Sequence, residues 1–179
     1  MKFSASFLLF LLVLISACTS IPKGLKPVEQ FEVNRYLGKW YEIARLDHRF
    51  ERGLTDITAE YSLRPDGGLK ILNSGYNNAA GEREQAEGKA YFLGNPDTGS
   101  LKVSFFGPFY GGYHIIELDK ADYQYAMITG PDLNYFWILA RTPRMDPAIL
   151  KILIDRAKSL GFAVDKLIIS EHQQQPAHN

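Results

Sequence analysis

The sequence predicts an all-β fold, an eight-stranded antiparallel up-and-down barrel with one C-terminal α-helix packed outside and a short final strand. Three observations predict it. From Trp40 onward the chain breaks into eight short runs rich in Tyr, Phe, Ile and Val, residue types that suit a pleated, half-buried surface. Turn-forming residues separate the runs at the short intervals that hairpins require. One amphipathic stretch follows the last of these runs, and a helix there packs most economically against a closed sheet that has no free edge.

The first run, "WYEIAR", follows Gly38. With period two, Trp40, Glu42 and Ala44 share one face and Tyr41, Ile43 and Arg45 the other. Neither face is purely apolar. "TDITAEYSL" leads through "RPDGG" into "LKILNSGYN", and Asp66-Gly67 is a strong hairpin cue. "AEGKAYFLG" and "LKVSFFG" flank the turn-rich "NPDTGS", "GYHIIELD" and "YQYAMITG" are parted by "KAD", and "NYFWILART" closes the series. In the helix, Asp146 caps the first turn and Pro147 sits where a missing N–H costs nothing. Leu150, Leu153, Ile154, Ala157 and Leu160 make one apolar stripe, which Gly161 ends. "DKLIISEH" reads as the final strand.

The N-terminus says where the protein goes. Lys2 precedes an apolar run from Phe7 to Ile15, far shorter than the roughly 20 residues of a spanning helix. With small residues after it, this reads as an export signal over residues 1–17. Ile15-Ser16-Ala17-Cys18 resembles the bacterial lipobox, which makes Cys18, the only cysteine, the lipid anchor to a membrane. The alternatives are a plain signal cut at Ala17 with Cys18 incidental, or a buried thiol. By the same resemblance, the absence of Asp at position 19 favours the outer membrane, with the protein facing the periplasm. Residues 18–30 read as lipidated N-terminus and tether, 31–172 as one barrel domain and 173–179 as a flexible tail.

Removing residues 1–17 takes away Lys2 and no acid, leaving 19 basic and 20 acidic side chains and a formal charge of −1. That balance argues against a nucleic-acid partner, which needs a basic face. His48, His114, His172 and His178 show no metal-ligand spacing, and no nucleophile elbow, phosphate loop or dinucleotide fingerprint occurs. We expect no catalytic residue, no metal site and no cofactor. Parity makes His114 an outward, sheet-surface residue.

Gly38-Lys39-Trp40-Tyr41 resembles the first signature of the lipocalin family, G-x-W-[YF]. Thr129-Gly130-Pro131-Asp132 falls where its second block lies, without the usual T-D-Y wording. Ile138-Leu139-Ala140-Arg141 resembles the third block, whose arginine covers the first-strand tryptophan at the closed end. The resemblance spans roughly residues 31–170 and is closest to bacterial outer-membrane lipocalins and apolipoprotein D. It implies that Trp40 and Arg141 form a structural plug and that the interior holds a small apolar ligand. Glu42, an inward carboxylate, is expected low in the barrel as a partner of that plug.

Parity from Arg141 turns Leu139, Trp137 and Tyr135 inward and leaves Phe136, Ile138 and Ala140 to meet the helix. Alignment to the resembled family turns Ile57, Ala59, Tyr61, Ile71, Asn73, Ala90, Phe92, Val103, Phe105, Tyr113, Ile115 and Ile128 inward as ligand-binding residues. Such a pocket suits a fatty acid or lysophospholipid, held for storage, transfer or repair of envelope lipids. Arg49 and Arg52 are candidates for meeting a carboxylate or phosphate at the mouth, against the plainer reading of a solvated charge cluster. Phe106, Phe109 and Tyr110 either cover an apolar rim or form a patch that admits lipid, contacts the membrane or makes a homodimer. A structural envelope protein with a filled barrel and a haem carrier are the competing readings.

Overall fold

The computed structural model describes residues 19–172. The export signal, Cys18 and the tail at 173–179 lie outside the described residues. A four-residue helix, α1 (Val33–Tyr36), leads into eight antiparallel strands: β1 (Gly38–Arg45), β2 (Leu54–Leu63), β3 (Leu69–Asn77), β4 (Glu82–Phe92), β5 (Ser100–Ser104), β6 (Gly111–Leu118), β7 (Tyr125–Thr129) and β8 (Phe136–Ala140). Each pairs with its chain neighbours, and β1 pairs with both β2 and β8, which closes the barrel. Helix α2 (Pro147–Ser159) and a two-residue strand, β9 (Ile168–Ile169) on the edge of β1, complete the chain.

Alternation along the strands divides the apolar residues into two cores. The inner one contains Trp40, Tyr61, Leu69, Ile71, Ala90, Ile115, Ile128 and Leu139. The outer one brings Phe136, Ile138 and Ala140 of β8 against Leu153 and Ala157 of α2 and Phe162 beyond it. The helix forms as its sequence dictates: the Asp146 carboxylate accepts a 2.7 Å hydrogen bond from the Ala148 N–H, and Gly161 takes a φ of +94° just past the last turn.

The closed end is built around one aromatic ring. The Arg141 guanidinium lies 3.9 Å from the Trp40 ring centroid. Its N–H groups donate to the carbonyls of Arg35, Leu37, Lys39 and Tyr123. The Trp40 indole N–H donates to the Tyr36 carbonyl at 2.8 Å. Arg141 thus ties the chain entering the barrel to the chain leaving it. Gly38, at φ +89°, makes the turn from α1 into β1 beside that guanidinium.

Two expectations fail on register. A bulge between Glu42 and Ala44 leaves Ile43 without a partner on β8, so Glu42 faces Leu139 and Arg45 faces Trp137. Arg45 therefore turns inward with Glu42, and Ala44 turns outward into the helix-side core. Strict alternation had placed Arg45 and Ala44 on the opposite faces.

The segment read as a tether is part of the folded domain. A Cβ on Gly112, at the first turn of β6, would come within 3.2 Å of the Thr19 carbonyl oxygen. From there the chain runs down the outside of the barrel. Ile21 and Leu25 pack into the outer core, and Val28 exchanges backbone bonds with Gly99 and Ile115. Glu29 pairs with Thr98 at the closed end. This strap also buries His114, which faces outward as expected but is not a surface residue. Its ring bonds the Ser100 hydroxyl at 2.9 Å, and burial pushes its pKa down.

Candidate functional site

The antiparallel order puts the turns after β2, β4 and β6 at the closed end and the loops after β1, β3, β5 and β7 at the other. The second set forms the mouth. An inward side chain on a closed barrel keeps solvent contact only where the interior opens to solvent. Ala59, Asn73, Val103, Phe105, Tyr113 and Trp137 are inward and half-buried, so they line the reachable part, whereas Phe92 lies against Phe31 at the closed end. Ile57, Tyr61, Ile71, Ala90, Ile115 and Ile128 are buried behind or beneath them. Tyr135 lies at the rim.

The lower interior is aromatic. The Tyr113 hydroxyl bonds those of Tyr36 and Tyr61 at 2.7 and 2.8 Å. Burial raises all three phenols, Tyr61 to about 12, so they stay neutral. The chain of hydroxyls gives each oxygen a hydrogen-bond partner and leaves the ring faces to the apolar space. On β3 and β4 the wall is small: Asn73 stands between Ala59 and Ala86, and its side-chain oxygen has no hydrogen-bond partner.

Beneath the mouth the interior becomes polar, in a cluster that sequence reasoning missed. Arg45 is 4% exposed and Glu42 2%, and they form a 2.7 Å ion pair. The Ser170 hydroxyl, brought in by the segment after β9, also donates to the Glu42 carboxylate. Glu42 is thus partnered toward the mouth and not, as expected, toward the plug. Glu51, 7% exposed, accepts a 3.0 Å bond from the Trp137 indole N–H, and its carbonyl accepts from Arg45. His48, 5% exposed, lies with its ring stacked between Phe50 and Tyr135 at 5.4 and 5.0 Å and 4.6 Å from Trp137. The Arg45 Nε and His48 Nε2 atoms are buried without a partner.

Burial, reinforced by the Glu42 charge, pushes the Glu51 carboxyl up to about 8. Burial also raises Glu42, against the pull of Arg45 and Ser170. Burial, with Arg45 nearby, lowers His48 to about 4. At neutral pH the cluster is therefore one ion pair, a protonated carboxyl and a neutral imidazole, all hydrogen-bonding groups in an apolar surround.

The signs of these shifts give a stability profile. Native Glu51 holds its proton up to about pH 8 while the unfolded carboxyl loses it near 4.5, so its contribution declines as pH rises through that window. Native His48 stays neutral down to about pH 4 while the unfolded ring charges below 6.5, so its contribution grows with pH up to 6.5. The two oppose each other in acid, and above pH 6.5 Glu51 acts without that opposition. We expect stability to fall by about 1–2 kcal/mol between pH 6.5 and 8. Urea titrations across that range should show the fall, and Glu51→Gln should remove most of it.

The two arginines expected at the mouth lie in the β1–β2 loop there, exposed and outside the buried cluster. Arg52 is exposed and bonds the Asp47 carboxylate, with its nearest contact at 2.5 Å. Arg49 is exposed and has no side-chain hydrogen bond among the described residues. The loop sequence places three basic or imidazole groups together, but nothing local says which enters the barrel. A bulge and a loop return decide it. Among the described residues no group of three His, Cys, Asp or Glu could hold a metal ion.

Residues 31–172 match the family model described as a lipocalin-like domain. The chain is a lipocalin. This lipocalin is 52% identical over 169 residues to the outer membrane lipoprotein Blc of Vibrio cholerae, covering 94% of this chain and 99% of the relative. It is 54% identical over 157 residues to Blc of Escherichia coli, at 87% and 88% coverage. Bovine apolipoprotein D matches at 32% over 154 residues, at 83% and 80% coverage. Among solved structures, insecticyanin from the tobacco hornworm superposes with a TM-score of 0.68 at 20% identity, covering 87% of this chain and 88% of that one. The lipocalin is thus a lipid-anchored protein of the outer membrane, and its family binds small hydrophobic ligands as carriers rather than enzymes.

Proposed function

We propose that this lipocalin carries a fatty acid or lysophospholipid, with the acyl chain among the inward apolar residues and the polar head at the Arg45–Glu51–His48 cluster. The protein hangs from the lipid on Cys18 at the periplasmic face of the outer membrane and stores or transfers envelope lipids. The observation that carries the reading is polarity along the barrel axis. The lower interior is aromatic and aliphatic, whereas buried Arg45 Nε and His48 Nε2 beneath the mouth lack partners. Such atoms are costly unless something satisfies them. A carboxylate or phosphate supplies an acceptor for the Arg45 Nε–H, while each buried CH₂ of the acyl chain contributes roughly 0.8 kcal/mol.

Native mass spectrometry of the form lacking residues 1–18, titrated with a lysophospholipid and a fatty acid of matched chain length, tests it. We expect saturable one-to-one binding. Ala59→Trp, which fills the half-buried wall, should weaken it about tenfold or more, a difference of ~1.4 kcal/mol or greater. Well-folded protein that binds neither lipid would overturn the reading.

A further inference from the structure

The described chain begins on the mouth side of the barrel, and its placement there fixes an orientation. Thr19 lies against Gly112, at the first turn of β6. The chain from Thr19 to Glu29 runs away from that point toward the closed end and is held on the way at Ile21, Leu25, Val28 and Glu29. No slack tether follows position 18. A lipid on Cys18 therefore enters its bilayer within one residue of the rim.

The rim is where the largest exposed apolar side chains gather. Phe106 is 80% exposed and Phe109 78%, both in the β5–β6 loop that leads through Gly111 to the Gly112 beside Thr19. Phe50, 62% exposed, projects from the β1–β2 loop across the mouth. Next to the first pair, the Tyr110 ring lies 5.9 and 5.0 Å from the ammonium groups of Lys89 and Lys102. Aromatic rings that meet both an apolar phase and water, with lysines set behind them, match a phospholipid headgroup boundary. The β3–β4 loop differs: Glu82 and Glu84 follow it on β4 and it exposes no large apolar side chain, so it takes no part in such a contact.

We propose that the barrel docks mouth-first on the bilayer that holds its anchor, with Phe106 and Phe109 entering the headgroup region and Phe50 completing the contact. The occupant of this surface is a phospholipid bilayer. Docked so, the interior opens directly onto lipid, and an amphiphile moves between bilayer and barrel without crossing water. The proposal rests on the reading of Cys18 as the lipidated residue, and the test separates the two.

The experiment uses the full-length protein matured in cells and reconstituted in vesicles of phosphatidylethanolamine and phosphatidylglycerol. Cys18 is the only cysteine, so once it is acylated an introduced thiol is unique. Gly107→Cys and Arg49→Cys report on the two mouth loops and Pro65→Cys on the closed end, each carrying a fluorophore exposed to brominated lipids. We expect strong quenching at 107 and 49, none at 65, and loss of most quenching at 107 in the Phe106→Ser/Phe109→Ser background. Acylated, folded protein quenched equally at 65, or nowhere, would overturn the docking alone. Thiol cross-linking between copies through position 107 would show that a second copy covers the loop, and would overturn it too. A protein mass without the acyl additions would overturn the anchor and the orientation argued from it.

Discussion

Trp40→Ala should destabilise the protein by about 3–5 kcal/mol, the range for deleting a fully buried large ring. In a chain of this size that lowers the melting temperature by roughly 10 °C, read by calorimetry or by urea denaturation. The size follows from what the ring supports. Trp40 has no solvent exposure. The Tyr36 ring packs against it, tilted, at 4.7 Å, and the Arg141 guanidinium lies 3.9 Å from its centroid. Its loss leaves the Tyr36 carbonyl without the indole donor and the guanidinium facing a cavity. Arg141 then still holds four carbonyls but no longer seals the closed end. Trp40→Phe keeps an aromatic face and should cost distinctly less. Neither residue reaches the solvent-accessible interior, so ligand affinity of the folded variants should be unchanged. A Trp40→Ala protein with wild-type stability would show that the closed end is held by its backbone bonds alone.

This plug was legible in the sequence, and so was most of the barrel. The parity that turned Trp137 and Leu139 inward and gave Phe136, Ile138 and Ala140 to the helix follows from an uninterrupted β8, whose register with β7 has no irregularity. Parity carries only as far as the strand stays regular. On β1 a bulge with no glycine to announce it inverts the face of every later residue, and that inversion moved Arg45 from the outside to the inside. Loops offer less still. Glu51 and His48 lie in a stretch with no period to read, and both are buried because the β1–β2 loop folds back over the mouth against Trp137. Proline and glycine suggested a tether at 19–30, yet Ile21, Leu25 and Val28 find apolar partners along the barrel wall that only closure creates. The plug was therefore a local reading, whereas the polar cluster depended on long-range return of the chain.

Arg45→Leu should be as damaging as loss of the ring, at about 3–5 kcal/mol, and for a different reason. The wild-type cluster holds two carboxyl groups around one guanidinium, and among the described residues Arg45 is the only cation bonded to the Glu42 carboxylate. Without it, Glu42 and Glu51 remain buried with Trp137 and Ser170 as neutral donors. Both carboxyls then bind protons more tightly than they do now, since the largest lowering charge beside them is gone. The folded state would take up protons that the unfolded state releases above about pH 4.5, so the variant's stability should fall more steeply with rising pH than the wild type's. Its deficit should shrink toward pH 5 and widen toward pH 8. Glu42→Gln in the same chain removes the uncompensated charge, and the double variant should regain much of the stability lost by Arg45→Leu, as for a charge pair deleted together. Lipid affinity should not return with it, because the guanidinium that meets the head group is still absent. Urea titrations of the four proteins at pH 5 and pH 8, with lysophospholipid binding measured on the folded forms, separate the two roles. Recovery of binding in the double variant would reduce Arg45 to a counter-ion for Glu42. Recovery of stability without binding would leave it as the group that the polar end of the ligand requires.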